Sequence, residues 1–304
     1  MGSDSPRLLD SGEVMRRTRT MPTGLRRLGS GLLCLCLLGC TPSTTVAHEE
    51  QGMQQDGITR GVTIGRYTYT DAPVEARIGR HLYRIPANYF YDQMGPTFQG
   101  DVSLRMQWPD LTPMPPGQTQ QQTMSEFMKA VNYDIRYVDR VDVRESMRRA
   151  YSNWTMPKDS LAYRNPEDRL DLRIPQPEAM GLVRYDVDPA LAEQYAKEWE
   201  VKKGRPYAPV IGVRKDWYIA RDETGEVVTF IRCDTDEKTD GLVVQGRDLV
   251  PSENPKDRVA QCNHLMIFPE ESLSVSIGYA RVVLPDWQRF EDALRDLLGR
   301  TRVD

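Results

Sequence analysis

Histidine is scarce: three in 304 residues (His48, His81 and His264). That thins the supply of general bases and neutral metal ligands, and their scatter fits neither HExxH nor any other metal-ligand spacing. No GxSxG elbow, phosphate-binding loop or glycine-rich dinucleotide fingerprint occurs, which removes the chemistries those turns support. An excess of basic charge is also missing. Forty Lys and Arg face 44 Asp and Glu, a net of −4, whereas phosphate recognition needs a concentrated cationic surface; nucleic-acid binding is excluded. Membrane-spanning runs are absent too, because the apolar stretch 28–38 has 11 residues, against ~20 for a bilayer core. The absences together predict a binding protein: no enzyme, no cofactor, no metal.

What is present differs between the two ends. Residues 1–39 carry Arg7, Arg16, Arg17, Arg19, Arg26 and Arg27 against Asp4, Asp10 and Glu13, a local net of +3, so the remainder carries −7. Arg26-Arg27, the short apolar run and a small residue have the layout of a secretory signal. The run ends Leu37-Leu38-Gly39-Cys40, which resembles the bacterial lipobox. Of Cys34, Cys36 and Cys40, only Cys40 follows a small residue, and it is the expected lipidation site; Met21 offers a second start that would give a signal of ordinary length. Several acyl chains make a stable anchor where one is marginal. Thr41 stands where a retained inner-membrane lipoprotein would resemble one with Asp, so the expected location is the periplasmic face of the outer membrane. Residues 40–60, His48 included, bear almost no large apolar side chain and are predicted to be a flexible tether.

The exported body falls into two halves, 61–150 and 179–304, which this pattern leaves open as separate domains or one body. In the first, Val62 to Tyr69, His81 to Ile85 and Asp101 to Trp108 alternate as half-buried strands do, and Pro109 ends the last of them. Residues 112–123 are a Pro/Gln-rich insert expected to be a mobile surface loop. Thr123 and Glu126 have capping-box spacing, predicting a helix through Ala130. Residues 134–143 are predicted as strand and 152–178 as connection.

In the second half, 181–187 reads as strand. Asp188-Pro189 starts a helix whose Leu191, Tyr195 and Trp199 make one apolar stripe. Residues 217–220 and 227–233 flank the turn cluster Asp222 to Gly225, a hairpin signal, and 262–268 with 273–279 make a second hairpin. Asp286 can cap a closing helix with Trp287, Phe290, Leu294, Leu297 and Leu298 on one face, ending before Gly299. The predicted class is α+β: an antiparallel sheet of hairpins, amphipathic helices packed on one face, and a C-terminal helix.

With Cys40 acylated, two thiols remain, and in an oxidising compartment Cys233 and Cys262 are expected to form a disulfide. The rival reading makes Cys262 and His264 a nucleophile pair, since residues i and i+2 on a strand share a face, but an oxidised thiol cannot attack. His81 is expected at the surface or an edge. Glu270-Glu271 are read as solvated turn carboxylates. The aromatics Tyr83, Tyr89, Phe90, Tyr91 and Phe98 are either core or a partner surface.

The segments RIPANYF (84–90), GDVSLRMQWPDLTPM (100–114), GLVRYD (181–186), DWYIARDETGEVVTFIRC (216–233) and QCNHLMIF…SVSIGYARVVLPDWQRFEDALRDLL (261–298), behind a lipobox signal, resemble the periplasmic immunity lipoproteins paired with type VI secretion phospholipase effectors. The resemblance implies a stoichiometric inhibitor that binds a toxin lipase in the periplasm and blocks its active site or its approach to the membrane. It assigns no contact residues. The alternative is an envelope scaffold or assembly lipoprotein without a toxin partner.

Overall fold

The computed structural model describes residues 61–97, 100–208, 214–254 and 258–304. The predicted signal, Cys40, His48 and the tether, like Phe98, lie outside the described residues. Two small hairpins come first: β1 (Val62–Ile64) with β2 (Tyr67–Tyr69), and β3 (Pro73–Ile78) with β4 (His81–Pro86). There follow β5 (Asp101–Gln107), α1 (Met124–Met128), β6 (Ala130–Tyr137), α2 (Val143–Ala150), β7 (Arg173–Ala179), β8 (Leu182–Val187) and α3 (Pro189–Lys203). The rest comprises β9 (Lys215–Arg221), β10 (Val227–Asp234), β11 (Leu242–Gln245), β12 (Asp248–Pro251), β13 (Gln261–Phe268), β14 (Leu273–Ala280) and α4 (Trp287–Thr301).

Eight of these strands form one antiparallel sheet in the order β5-β6-β14-β13-β10-β9-β8-β7. Strands from 61–150 therefore continue directly into those of 179–304, with Ile135 of β6 opposite Val275 of β14. The strands are apolar at both parities. On one face Leu104, Tyr133, Ile277 and Ile231 pack under Phe290 and Leu294 of α4. On the other, Trp217, Ile219, Phe230 and Ile267 pack under Val143 and Met147 of α2. A sheet apolar on both faces needs cover on both, so the helices occupy two faces rather than the single face expected.

Other local differences have specific causes. Residues 138–143 are not strand: β6 ends at Tyr137 and Asp142 caps α2, its Oδ1 accepting from the Arg144 amide at 2.7 Å. α2 escapes a periodicity reading because its two buried residues, Val143 and Met147, are set among Arg144, Glu145, Arg148 and Arg149. β7 lies inside the supposed connection and carries Pro175 and Pro177, which are tolerated because β7 is a sheet edge where a missing N–H breaks no ladder bond. The insert 112–123 is docked, not loose. Met114 is buried, and Gln93, itself buried, donates from Nε2 to the carbonyls of Met114 and Pro115 at 3.1 and 3.0 Å. The Thr123–Glu126 capping box forms, but α1 stops at Met128 and Ala130 opens β6.

Asp188 caps α3 from Oδ1 and Gly204 ends it at φ +67°, the left-handed turn a glycine adopts without strain. Asp286 precedes α4 without capping it. Its carboxylate accepts instead from Trp108 Nε1 at 2.7 Å, and α4 runs through Gly299 to Thr301.

Cys233 and Cys262 are disulfide-bonded and lie directly opposite each other on β10 and β13. The bridge closes a loop that contains the β11–β12 hairpin, which the charged composition of that loop concealed. Leu242 and Leu249 are buried there. With a separation of 29 residues, closing the loop should stabilise the fold by about 3–4 kcal/mol in the chain-entropy account. Replacing both cysteines by serine is expected to lower the urea-unfolding free energy by that amount; a loss under about 1 kcal/mol would show the strand pairing to be self-sufficient.

Candidate partner-binding cleft

A cleft of about 880 Å³ opens on the α2 face of the sheet, at the end where β9, β10 and β13 run beside the disulfide. Register builds its floor. Arg232 of β10 is directly opposite Trp217 on one neighbour and Asn263 on the other, so all three project to one side. Its wall is aromatic. Trp199 near the end of α3 and Tyr207 beyond it meet at 5.4 Å between ring centroids, and Tyr195 closes the trio edge-on at 5.0 Å from Tyr207. The stripe read from Leu191, Tyr195 and Trp199 thus faces this wall and the short 3-10 turn Pro166–Asp168, and only Tyr195 of the three is fully buried.

Arg173 fixes the geometry from beneath. Buried in β7, it donates to the carbonyls of Tyr185 and Glu167 at 2.9 and 2.8 Å and stacks over the Trp217 ring at 4.0 Å. Burial pulls its pKa down to about 10, with Glu167 acting against that, and it stays charged at neutral pH. Burial likewise pushes the Glu167 carboxyl up, against the pull of Arg214 at 3.4 Å. Arg214 also pairs with Glu237 at 3.0 Å, and Lys215 pairs with Asp234.

Asp234 anchors the corner next to Cys233. Burial alone would raise its pKa, but donation from Lys215, Lys238 and the Gln261 amide outweighs this and holds it at about 2. Just beyond, the Arg281 guanidinium donates to the carbonyls of Asp234, Thr235 and Lys238 and to Asp240, so the chain after the disulfide wraps one cation.

The two described histidines are elsewhere and both buried. His81 is not at the surface: Arg302 donates to its Nδ1 at 3.0 Å, leaving Nε2 to donate to the Glu271 carbonyl at 3.2 Å. That bond uses the backbone of Glu271; its carboxylate stays partly exposed, 3.8 Å from Arg302. His264, under α4, donates from Nε2 to Glu291 at 2.9 Å, and Thr229 donates to the same oxygen at 2.7 Å. Burial would raise the Glu291 pKa, but these donors and Arg295 bring it below the usual range. Cys262 shares a face with His264, but its sulfur is in the disulfide, so no nucleophile pair exists. Tyr83, Tyr89 and Phe90 belong to the core, whereas Tyr91 is half exposed beneath Arg105 at 4.0 Å. Among the described residues no cluster of His, Cys, Asp and Glu could hold a metal, and no helix is long and apolar enough to cross a membrane.

The fold is similar to that of a solved structure: Smlt3025, an immunity protein of the Stenotrophomonas maltophilia type IV secretion system. The two match with a TM-score of 0.76 and 38% sequence identity, over 81% of this chain and 99% of that one. The chain belongs to that immunity protein's family. No protein-family model matches it, and no curated protein does. The secretion system of this relative is type IV, where the resemblance of the segments between 84 and 298 implied type VI.

Sequence reading missed the cleft: Trp199 reads as part of a helix stripe and Trp217 and Arg232 as residues of hairpin strands, and no local pattern marks them as one site.

The Asp234 corner gives a pH dependence with a definite sign. A carboxyl held at about 2 in the fold, against ~3.9 unfolded, contributes stability that is complete above pH ~4 and lost as pH falls toward 2. Asp234→Asn is expected to cost roughly 2 kcal/mol at pH 7, with the gap to the parent closing between pH 4 and pH 2 in urea titrations. A gap independent of pH would show that the Lys215–Asp234–Lys238 cluster is not what depresses the carboxyl.

Proposed function

We propose that the chain is an immunity protein that binds a cognate toxin effector and neutralises it by occupying its surface. The observation that carries this reading is 38% identity across essentially the full length of a secretion-system immunity protein. That match is longer than the segment resemblance, so we take delivery by a type IV apparatus as the better reading of the toxin's origin. A phospholipase as the toxin rests on the segment resemblance alone. Inhibition by contact also suits the chemistry available: the one described thiol beside a histidine is oxidised, and both described histidines are committed to buried hydrogen bonds.

The site of action follows from Cys40. Acylation there would hold the body at the periplasmic face of the outer membrane on a polar tether of about twenty residues, which spans some 25 Å as a flexible coil. An inhibitor so placed meets a toxin on arrival, before it reaches the lipid surface.

The toxin to test is the product of the neighbouring reading frame, directed to the periplasm. Co-expression of this chain should restore growth, and the two purified proteins should co-elute as a stoichiometric complex. Neither rescue nor binding would overturn the immunity reading in favour of the scaffold alternative. Cys40→Ser tests the anchor separately. It is expected to shift the protein from the membrane fraction to the soluble periplasm while leaving toxin binding in vitro unchanged; continued fractionation with membranes would remove lipidation at Cys40.

A further inference from the structure

Most arginines around the cleft already have acceptors: Arg173 has carbonyls, Arg214 has Glu167 and Glu237, and Arg184 has Asp186 and Asp216. Arg232 and Arg205 line the same cleft and differ from them. Neither makes an ion pair or hydrogen bond with a described residue. The Arg232 guanidinium stands 5.6 Å from the ring centroid of Phe230, two residues back on its own strand. Asp168 acts on it only at longer range, and that carboxylate already accepts from Asn165 Nδ2 at 2.7 Å. Residues 209–213, outside the described residues, are Pro, Val, Ile, Gly and Val and bring no charge.

Arg232 is exposed to solvent, so its guanidinium is open to an incoming anion, and an arginine stays charged at neutral pH. Its setting is the opposite of the surrounding surface, since the exported body as a whole is acidic by seven charges. Trp199, Tyr207 and the arginines are also the residue types in which interface binding energy concentrates. Guanidinium geometry prefers a carboxylate, taken through two parallel N–H donors.

We infer that this cleft is the docking site for the toxin, and that it receives an acidic side chain of the toxin on Arg232, with Arg205 at the rim and the Trp199–Tyr207 wall packing against apolar groups beside that carboxylate. The inference rests on the immunity reading and adds the surface and the chemistry of its partner. Arg232 is pre-positioned because the disulfide next to it locks β10 to β13, so the cation is already aimed when the toxin arrives.

Calorimetry of the disulfide-intact protein with the purified product of the neighbouring reading frame tests it, using Arg232→Glu, Arg205→Glu and Trp199→Ala. Arg205 lies outside every helix and strand, so its reversal reads binding without risk to folding. Arg84→Glu, on exposed β4 far from the cleft in the fold, is the control; its pair with Glu75 is solvated on both sides and worth little. Arg232→Glu is expected to weaken binding by at least about 30-fold, Trp199→Ala by about tenfold and Arg205→Glu by several-fold, with Arg84→Glu unchanged and all melting temperatures near the parent's. Parent-like binding by Arg232→Glu and Arg205→Glu overturns the cleft while leaving the immunity reading intact. An equal loss in Arg84→Glu would mean general charge attraction and overturns it also. A parent protein that does not bind the toxin removes both readings.

Discussion

The pairing of β10 with β13 is the constraint on which the rest of the molecule depends. The sheet order places β5, β6, β14 and β13 on one side of that seam and β10, β9, β8 and β7 on the other. Within each side the neighbours are joined by turns or are sequential in the chain, except β6 and β14, where Tyr137 meets Leu273. At the seam β10 and β13 are separated by the whole β11–β12 excursion, and closing that loop must be offset before any contact across it is gained. The covalent bond between Cys233 and Cys262 falls at the end of this pairing. It removes the loop-closure term at the one junction where the sheet would otherwise be two four-stranded pieces.

The same seam organises charge. Asp234 follows Cys233 immediately and collects Lys215, Lys238 and the Gln261 amide, so residues from β9, from the loop and from β13 converge on one carboxylate. Arg281, leaving β14, then takes three carbonyls of that loop. Buried polar groups of this kind add little net stability when satisfied and cost much when one partner is lost; their effect is to permit one arrangement of the loop and penalise the others. On the opposite face, Thr229, His264 and Glu291 do the same for α4, linking β10 and β13 to the helix through a single carboxylate. Both faces are thus registered against the two strands that meet at the seam.

How much of this could be read from the sequence follows from where side-chain period and burial agree. β5 and β14 alternate and were legible, as were β13 from its hairpin with β14 and the pairing of the two late thiols. α4 was legible from Phe290, Leu294 and Leu297, although Asp286, read as its cap, belongs to Trp108 in the fold. The failures share a cause: a tertiary partner supplied what the local pattern lacked. α2 offers two apolar residues and is a helix because the sheet's second face needs cover. β7 holds two prolines and is a strand because an edge does not require its donors. β11 and β12 lie in a charged loop, yet Leu242 and Leu249 find the core. The buried structural roles of His81 and His264 were illegible, because Arg302 and Glu291, distant in sequence, complete their hydrogen bonds.

The cleft is illegible for a further reason, which bears on what a binding protein must do. Its residues arrive from β9, β10, β13 and the end of α3, and register alone places Trp217, Arg232 and Asn263 side by side. A sequence pattern reports which residues a fold buries, and it is silent about residues whose interactions are left open. Arg173 and Arg232 show the contrast within one site. Arg173 is wholly enclosed, and its carbonyl acceptors and its stacking on Trp217 make it part of the floor. Arg232, three strands away on β10, has the same chemistry and no side-chain acceptor among the described residues. The disulfide and the Asp234 cluster fix the strand that carries Arg232, so the seam that closes the sheet also holds an exposed cation at the floor of the cleft.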